Sequence, residues 1–135
     1  MKKVIISISI VLLLGLTVGC GCSKKELKKE EEKVRVSTNE NVIKDQQLEV
    51  FTFTNTMLIY EDNTSTFKTK VTNTSENTEN LKEIKIHIKN ELGEDIVVLP
   101  GYVGESINPN ETKKITSSVG FDITDAFSVE YEIIR

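Results

Sequence analysis

Tryptophan is absent from this chain, histidine occurs once, and proline and cysteine occur twice each. A single histidine, His87, leaves no material for imidazole-rich zinc sites or for a Ser-His-Asp or Cys-His catalytic set fed by several candidates. Both cysteines, Cys20 and Cys22, lie near the start, so no disulfide can staple the remaining residues. A concentrated basic segment is missing too. Lys and Arg number 17 against 21 Asp and Glu, a formal charge of -4. Nucleic-acid binding needs clustered positive charge to neutralise phosphates, and no extended basic stretch supplies it. What remains is a chain of 135 residues, 28% charged and 38% apolar, which is the composition of one small globular domain.

The first residues have a different character. Met1-Lys2-Lys3 is a short positive start, and Val4–Val18 is uncharged and mostly apolar. A charged start, an apolar stretch of about 7–15 residues and a small-residue cut site together define a secretory signal. A bilayer-spanning helix needs about 20 apolar residues, more than this run provides. The segment ends Leu16-Thr17-Val18-Gly19-Cys20, which resembles the lipobox of bacterial lipoproteins. Thr17 stands where that motif usually has Leu. The resemblance implies lipid on the Cys20 sulfur and cleavage before it, giving a signal peptide over 1–19. A diacylglyceryl group supplies two acyl chains, and one alone holds only marginally. Loss of Lys2 and Lys3 leaves the mature chain still more acidic, so charge would not hold it to an anionic membrane.

Residues 24–33 read KKELKKEEEK. Lys28/Glu32 is a favourable i,i+4 pair, but Lys24/Lys28, Lys25/Lys29 and Glu26/Glu30 are like pairs that oppose a helix. With no apolar face and few residues, such a helix is marginal in water. The polar character continues to Gln47, so residues 20–47 read as the lipidated cysteine and a flexible charged linker, reaching roughly 25–30 Å as a random coil.

From Leu48 the pattern changes to period two, and residues 48–135 read as an all-β domain. Leu81–Asn90 is the clearest strand: Ile84, Ile86 and Ile88 fall on one face, and Lys85, His87 and Lys89 on the other. His87 is thereby placed on the solvent face with no partner evident. Leu48–Thr54, Met57–Glu61, Ser65–Asn73, Asp95–Leu99, Lys113–Phe121 and Ala126–Ile134 complete about seven strands. Asp62-Asn63, Asn73–Asn80, Glu91-Leu92-Gly93, Pro100-Gly101 and Asn108-Pro109-Asn110 carry turn chemistry between them. Asp122–Asp125 reads as one helical turn capped by Asp122 or Thr124. Short strands punctuated in this way predict an antiparallel β-sandwich.

Three spaced segments carry a further resemblance. They are Val71-Thr72-Asn73-Thr74-Ser75, then Leu81–Ile86 running to Glu91-Leu92-Gly93, and Ile107-Asn108-Pro109-Asn110-Glu111-Thr112. Their order resembles the immunoglobulin-like FxLYD-type domains of bacterial surface lipoproteins. Ile86-His87-Ile88-Lys89-Asn90 replaces the Phe-x-Leu-Tyr-Asp segment itself, and Pro109-Asn110-Glu111 replaces Pro-Gly-Glu. The resemblance implies an immunoglobulin-like sandwich and carries no catalytic or binding residue.

The expected role is therefore a non-enzymatic module, held at the outer face of the cell membrane through Cys20. It would bind a protein or cell-envelope component, with no cofactor and no nucleic acid. The polar loops Glu61–Thr66 and Asn73–Asn80 are candidate contact regions. The alternative is a Ca²⁺-binding domain, suggested by Glu61 and Asp62 near Asn63, by Glu94/Asp95 and by Asp122/Asp125, although none has the EF-hand spacing.

Overall fold

Alternation of apolar and polar residues closes this chain into two layers. The computed structural model describes residues 33–135. Among them are ten strands and one short helix: β1 Arg35–Val36, α1 Glu40–Ile43, β2 Gln46–Leu48, β3 Phe51–Glu61, β4 Thr64–Asn73, β5 Glu79–Asn80, β6 Glu83–Lys89, β7 Asp95–Tyr102, β8 Ser106–Ile107, β9 Thr112–Val119 and β10 Ser128–Ile134. The larger sheet has the order β9-β4-β3-β1, with β2 also paired to β3. The smaller sheet is β10-β6-β7, and β5 pairs with β8 as a separate two-strand ribbon. Every pairing is antiparallel. After β4 the chain crosses to the small sheet for β6 and β7, returns for β9, and crosses again for β10. The fold is an antiparallel β-sandwich, the class that the sequence predicts.

The core is the set of inward residues from both layers. Phe51, Phe53, Leu58, Phe67 and Val71 come from the large sheet, and Ile84, Ile86, Ile88 and Val129 from the small one. Tyr131 of β10 joins the layers. Its ring stacks on Phe53 with centroids 3.9 Å apart and an interplanar angle of 6°, and tilts against Phe67 at 6.4 Å. Its hydroxyl is buried near the Thr56–Thr69 hydroxyl pair but makes no hydrogen bond of acceptable geometry. Burial pushes the phenol pKa up.

Four local expectations are corrected. The domain does not begin at Leu48: Val34–Arg135 forms one compact unit, and part of the expected linker belongs to it. Arg35–Val36 pairs with Tyr60 and Ile59, and Asn39 caps α1, which buries Val42 completely. Gln46 then donates from Nε2 to the Val129 carbonyl at 2.9 Å. These residues are held by specific hydrogen bonds and one buried valine, a pattern with no periodicity to read. The expected signal peptide, Cys20, Cys22 and the charged run up to residue 32 lie outside the described residues.

Second, Leu48–Thr54 and Met57–Glu61 are not separate strands. The chain runs continuously as β3 through a bulge in which Asn55 and Thr56 oppose one residue of β4, with Asn55 left-handed at φ 54°. Third, Pro100-Gly101 is not a turn but part of β7. The sheets approach so closely there that a Cβ on residue 101 would lie 2.7 Å from Ile115 Cγ2. Fourth, Asp122–Asp125 makes a tight turn rather than helix. Ala126 N–H donates to the Ile123 carbonyl, and Asp122 Oδ1 accepts from both the Thr124 N–H and its hydroxyl. Seven expected strands thus become six long ones, with four short segments added.

Candidate functional site

The loops singled out by composition are built for shape. Asp62 and Asn63 are both left-handed, at φ 54° and 62°, and link Glu61 to its cross-strand partner Thr64. That is a two-residue hairpin turn of the primed type, which explains the residue choice without a ligand. Asn73 opens the second loop with its side chain fully buried. Its Nδ2 donates to the carbonyls of Asn77 at 2.7 Å and Ile107 at 2.9 Å, and its Oδ1 accepts from Ser75 N and Ser75 Oγ, both at 2.8 Å. All four hydrogen-bonding positions of the amide are filled. The Asn73 carbonyl also accepts from Asn110 N–H at 2.7 Å, with Asn110 left-handed at φ 63°. The segments 71–75 and 107–112 therefore form one clasp.

The carboxylate clusters do not converge. Asp122 and Asp125 receive the two arms of the Arg35 guanidinium, at 2.6 Å and 2.9 Å, which ties β1 to the loop before β10. Burial alone would raise the Asp122 pKa, but hydrogen bonds from Thr124 and Arg35 outweigh it and lower it. Asp95 is turned to His87 and Lys89, away from Glu94. Among the described residues no group of three or more His, Cys, Asp or Glu side chains is arranged to hold a metal ion.

The outward face of the small sheet is organised in three columns. β10 contributes Glu130 and Glu132, β6 contributes Lys85, His87 and Lys89, and β7 contributes Ile96, Val98, Pro100 and Tyr102. His87 lies opposite Glu130 on one side and Val98 on the other. It is on the solvent face as expected, but it has partners. Nδ1 lies 3.0 Å from Asp95 Oδ2 and Nε2 lies 3.0 Å from Glu132 Oε1. Hydrogen bonds to Asp95 and then Glu132 raise the His87 pKa above 6.5 against a desolvation penalty. Asp95 is lowered by His87 and Lys89 in return, and Lys89 is raised chiefly by its hydrogen bond to Asp95. Lys89 Nζ also lies 3.8 Å from Glu130. Sequence could not show these links, because Asp95 and Glu132 reach His87 only through strand register.

The third column is apolar. Among the described residues β7 is an edge strand, paired only with β6. Its run Ile96-Val97-Val98-Leu99 gives no alternation in sequence, yet the fold divides it: Leu99 points in, whereas Ile96 and Val98 point out. Tyr102 continues the outward row at 76% exposure, and Leu92 at the adjoining turn is 80% exposed. Pro100 removes one backbone donor from the strand, which blunts addition of a foreign strand. The row therefore presents side chains rather than a backbone edge.

No protein-family model, characterised protein or solved structure matches this chain. Among the described residues no helix is long and apolar enough to cross a membrane.

Proposed function

We propose that this chain is a bacterial lipoprotein, anchored at the outer face of the membrane through Cys20, whose β-sandwich binds a protein or cell-envelope component without catalysis. The observation that supports the binding role most directly is the outward row Ile96, Val98 and Tyr102 on edge strand β7, with Leu92 beside it. Four large apolar side chains left in water on one rim are a feature of interaction surfaces. The neighbouring columns are charge-paired, which suits a rim around such a contact. The membrane assignment rests on the signal-like start and Gly19-Cys20. From Val34 onward the chain carries 10 Lys and Arg against 17 Asp and Glu, which favours lipid rather than bulk charge as the anchor.

Two measurements test this reading. Cys20→Ser should release the protein from the membrane fraction or leave it as uncut precursor; a variant still cut before residue 20 and still membrane-bound would refute the anchor. For the binding surface, a photo-crosslinking side chain at Tyr102 in intact cells should give a discrete product that Val98→Lys abolishes. The same probe at Ser118, on the opposite sheet, should not give that product. Equal labelling from both positions would remove the support for β7.

A further inference from the structure

The outward face of the large sheet is unlike the rest of the domain. Its rows, read across β3, β4 and β9, are Thr52-Thr72-Thr112, Thr54-Lys70-Lys114, Met57-Lys68-Thr116 and Ile59-Thr66-Ser118. Hydroxyls dominate, and two pairs bond to each other: Thr72 with Thr112 at 2.6 Å and Thr66 with Ser118 at 3.2 Å. Three lysines interrupt them. Lys70 and Lys114 are direct cross-strand partners, and Lys68 lies two residues along the same face of β4. Like charges set directly opposite each other destabilise a sheet pair. Acid is available in this domain to relieve them, yet the ion pairs of the described residues engage Arg35, His87, Lys89 and Arg135 and none of these three.

The lysines border a shallow depression of about 320 Å³, whose other walls include Asn55, Met57 and Thr116. Asn55 is held there by the β3 bulge in a left-handed conformation. Asn55 thus brings a neutral amide to a depression that the three lysines also line, and Thr116 adds a hydroxyl. We infer that this depression is a binding site for a phosphate group, with Lys68, Lys70 and Lys114 supplying charge and Asn55 and Thr116 supplying hydrogen bonds. A tetrahedral oxyanion has enough acceptor oxygens for several ammonium groups and neutral donors at once, and lysine binds phosphate as a compact point charge. The net acidity of the domain does not forbid it. At physiological ionic strength charges beyond about 8 Å are largely screened, so the local lysines set the field that the ligand meets. The site stands independently of the β7 surface and of the lipid anchor. One chemistry has two sources, a phospholipid headgroup or a phosphate carried by a soluble or polymeric envelope component.

The test is a titration of the full chain in nonionic detergent, at fixed ionic strength, followed by amide chemical shifts. The probes are inorganic phosphate, glycerol phosphate, and phosphatidylglycerol mixed into the micelles. Saturable shifts at residues 54–57, 68–70 and 114–116 are expected with at least one probe. Lys70→Gln/Lys114→Gln should weaken that binding on the order of tenfold. The urea midpoint of that variant should be unchanged or raised, because the opposed charges are gone. Lys85→Gln, on the other sheet, should bind like the parent. Response to both soluble phosphates but not to the lipid would assign a solution-facing source; response to the lipid alone would assign the headgroup. No saturable response to any probe, or equal binding by the double variant, would overturn the site.

Discussion

The two sheets share one core but present opposite solutions to solvent on their outer faces. On the small sheet every charged column has a complement: Glu132 and Asp95 flank His87, and Asp95 and Glu130 approach Lys89. On the large sheet Lys68, Lys70 and Lys114 lie together among hydroxyls, and Lys70 faces Lys114 directly. Neutralisation within the fold explains the first face. The second invites an external anion. The small sheet leaves apolar surface only at its rim, along β7. Two surfaces of one small domain thus favour different chemistries, and the difference lies in cross-strand register rather than in composition.

Both faces rest on one core, and the largest expected effect comes from a change within it. Tyr131→Ala removes the ring of the small sheet that packs across the layers onto Phe53 and Phe67 of the large one. Tyr131 is only partly buried, so its loss should cost about 3 kcal/mol, the low end of the range for large core aromatics. Urea denaturation followed by fluorescence and by circular dichroism should show one coincident, shifted transition; two separate transitions would mean that the sheets are distinct units. Tyr131→Phe should be neutral or slightly stabilising, because the hydroxyl is buried without a hydrogen bond.

A smaller effect separates the faces by sign. Lys70→Glu should raise thermal stability, since a repulsive cross-strand pair becomes attractive, a change of about 0.2–1 kcal/mol for such pairs. Lys89→Glu should lower it, because a third carboxylate would meet Asp95 and Glu130. Shifts of the same sign in both melting curves would break the contrast.

The smallest effect is in pH. The pKa of His87 is raised in the folded state, so its contribution is fully present below the unfolded value near 6.5 and is lost as pH rises through the higher folded value. Stability should decline from pH 6 to pH 8, with the opposite sense at acid pH, where Asp95 loses its partners on protonation below its ordinary range. His87 is the only histidine in the chain, so His87→Gln should flatten the first slope and also shrink the acid limb, of which only the part that Lys89 sustains through Asp95 should remain. An unchanged slope between pH 6 and 8 would remove His87 from this role.

Much of the layering was legible before folding. Ile84, Ile86 and Ile88 alternate with charged residues, and that alternation places His87 outside. Asn63, Gly93 and Asn110 mark turns whose left-handed backbone suits them. The early residues were not legible, because Arg35, Asn39, Val42 and Gln46 act through partners distant in sequence or through a single burial. Gly101 looks like a turn residue in sequence for the same reason: only the approach of Ile115 shows why its Cβ is missing. Neither candidate surface was visible either. An unbroken apolar run conceals which half of β7 faces water, and lysines separated by more than forty residues in sequence become neighbours only by pairing β4 with β9.

The sequence by itself determined the class of the fold, the inward faces of the strands that alternate, the absence of a disulfide beyond Cys22 and the signal-like start ending in Gly19-Cys20. These follow from local periodicity and residue type, which act within a few residues. Tertiary structure alone decided where the domain begins, how Asn73 clasps residues 107–112, which carboxylates His87 meets and which lysines stand opposed. Each of those depends on register and on the crossing of the chain between sheets, and a change of one residue in pairing would turn every such side chain to the other face.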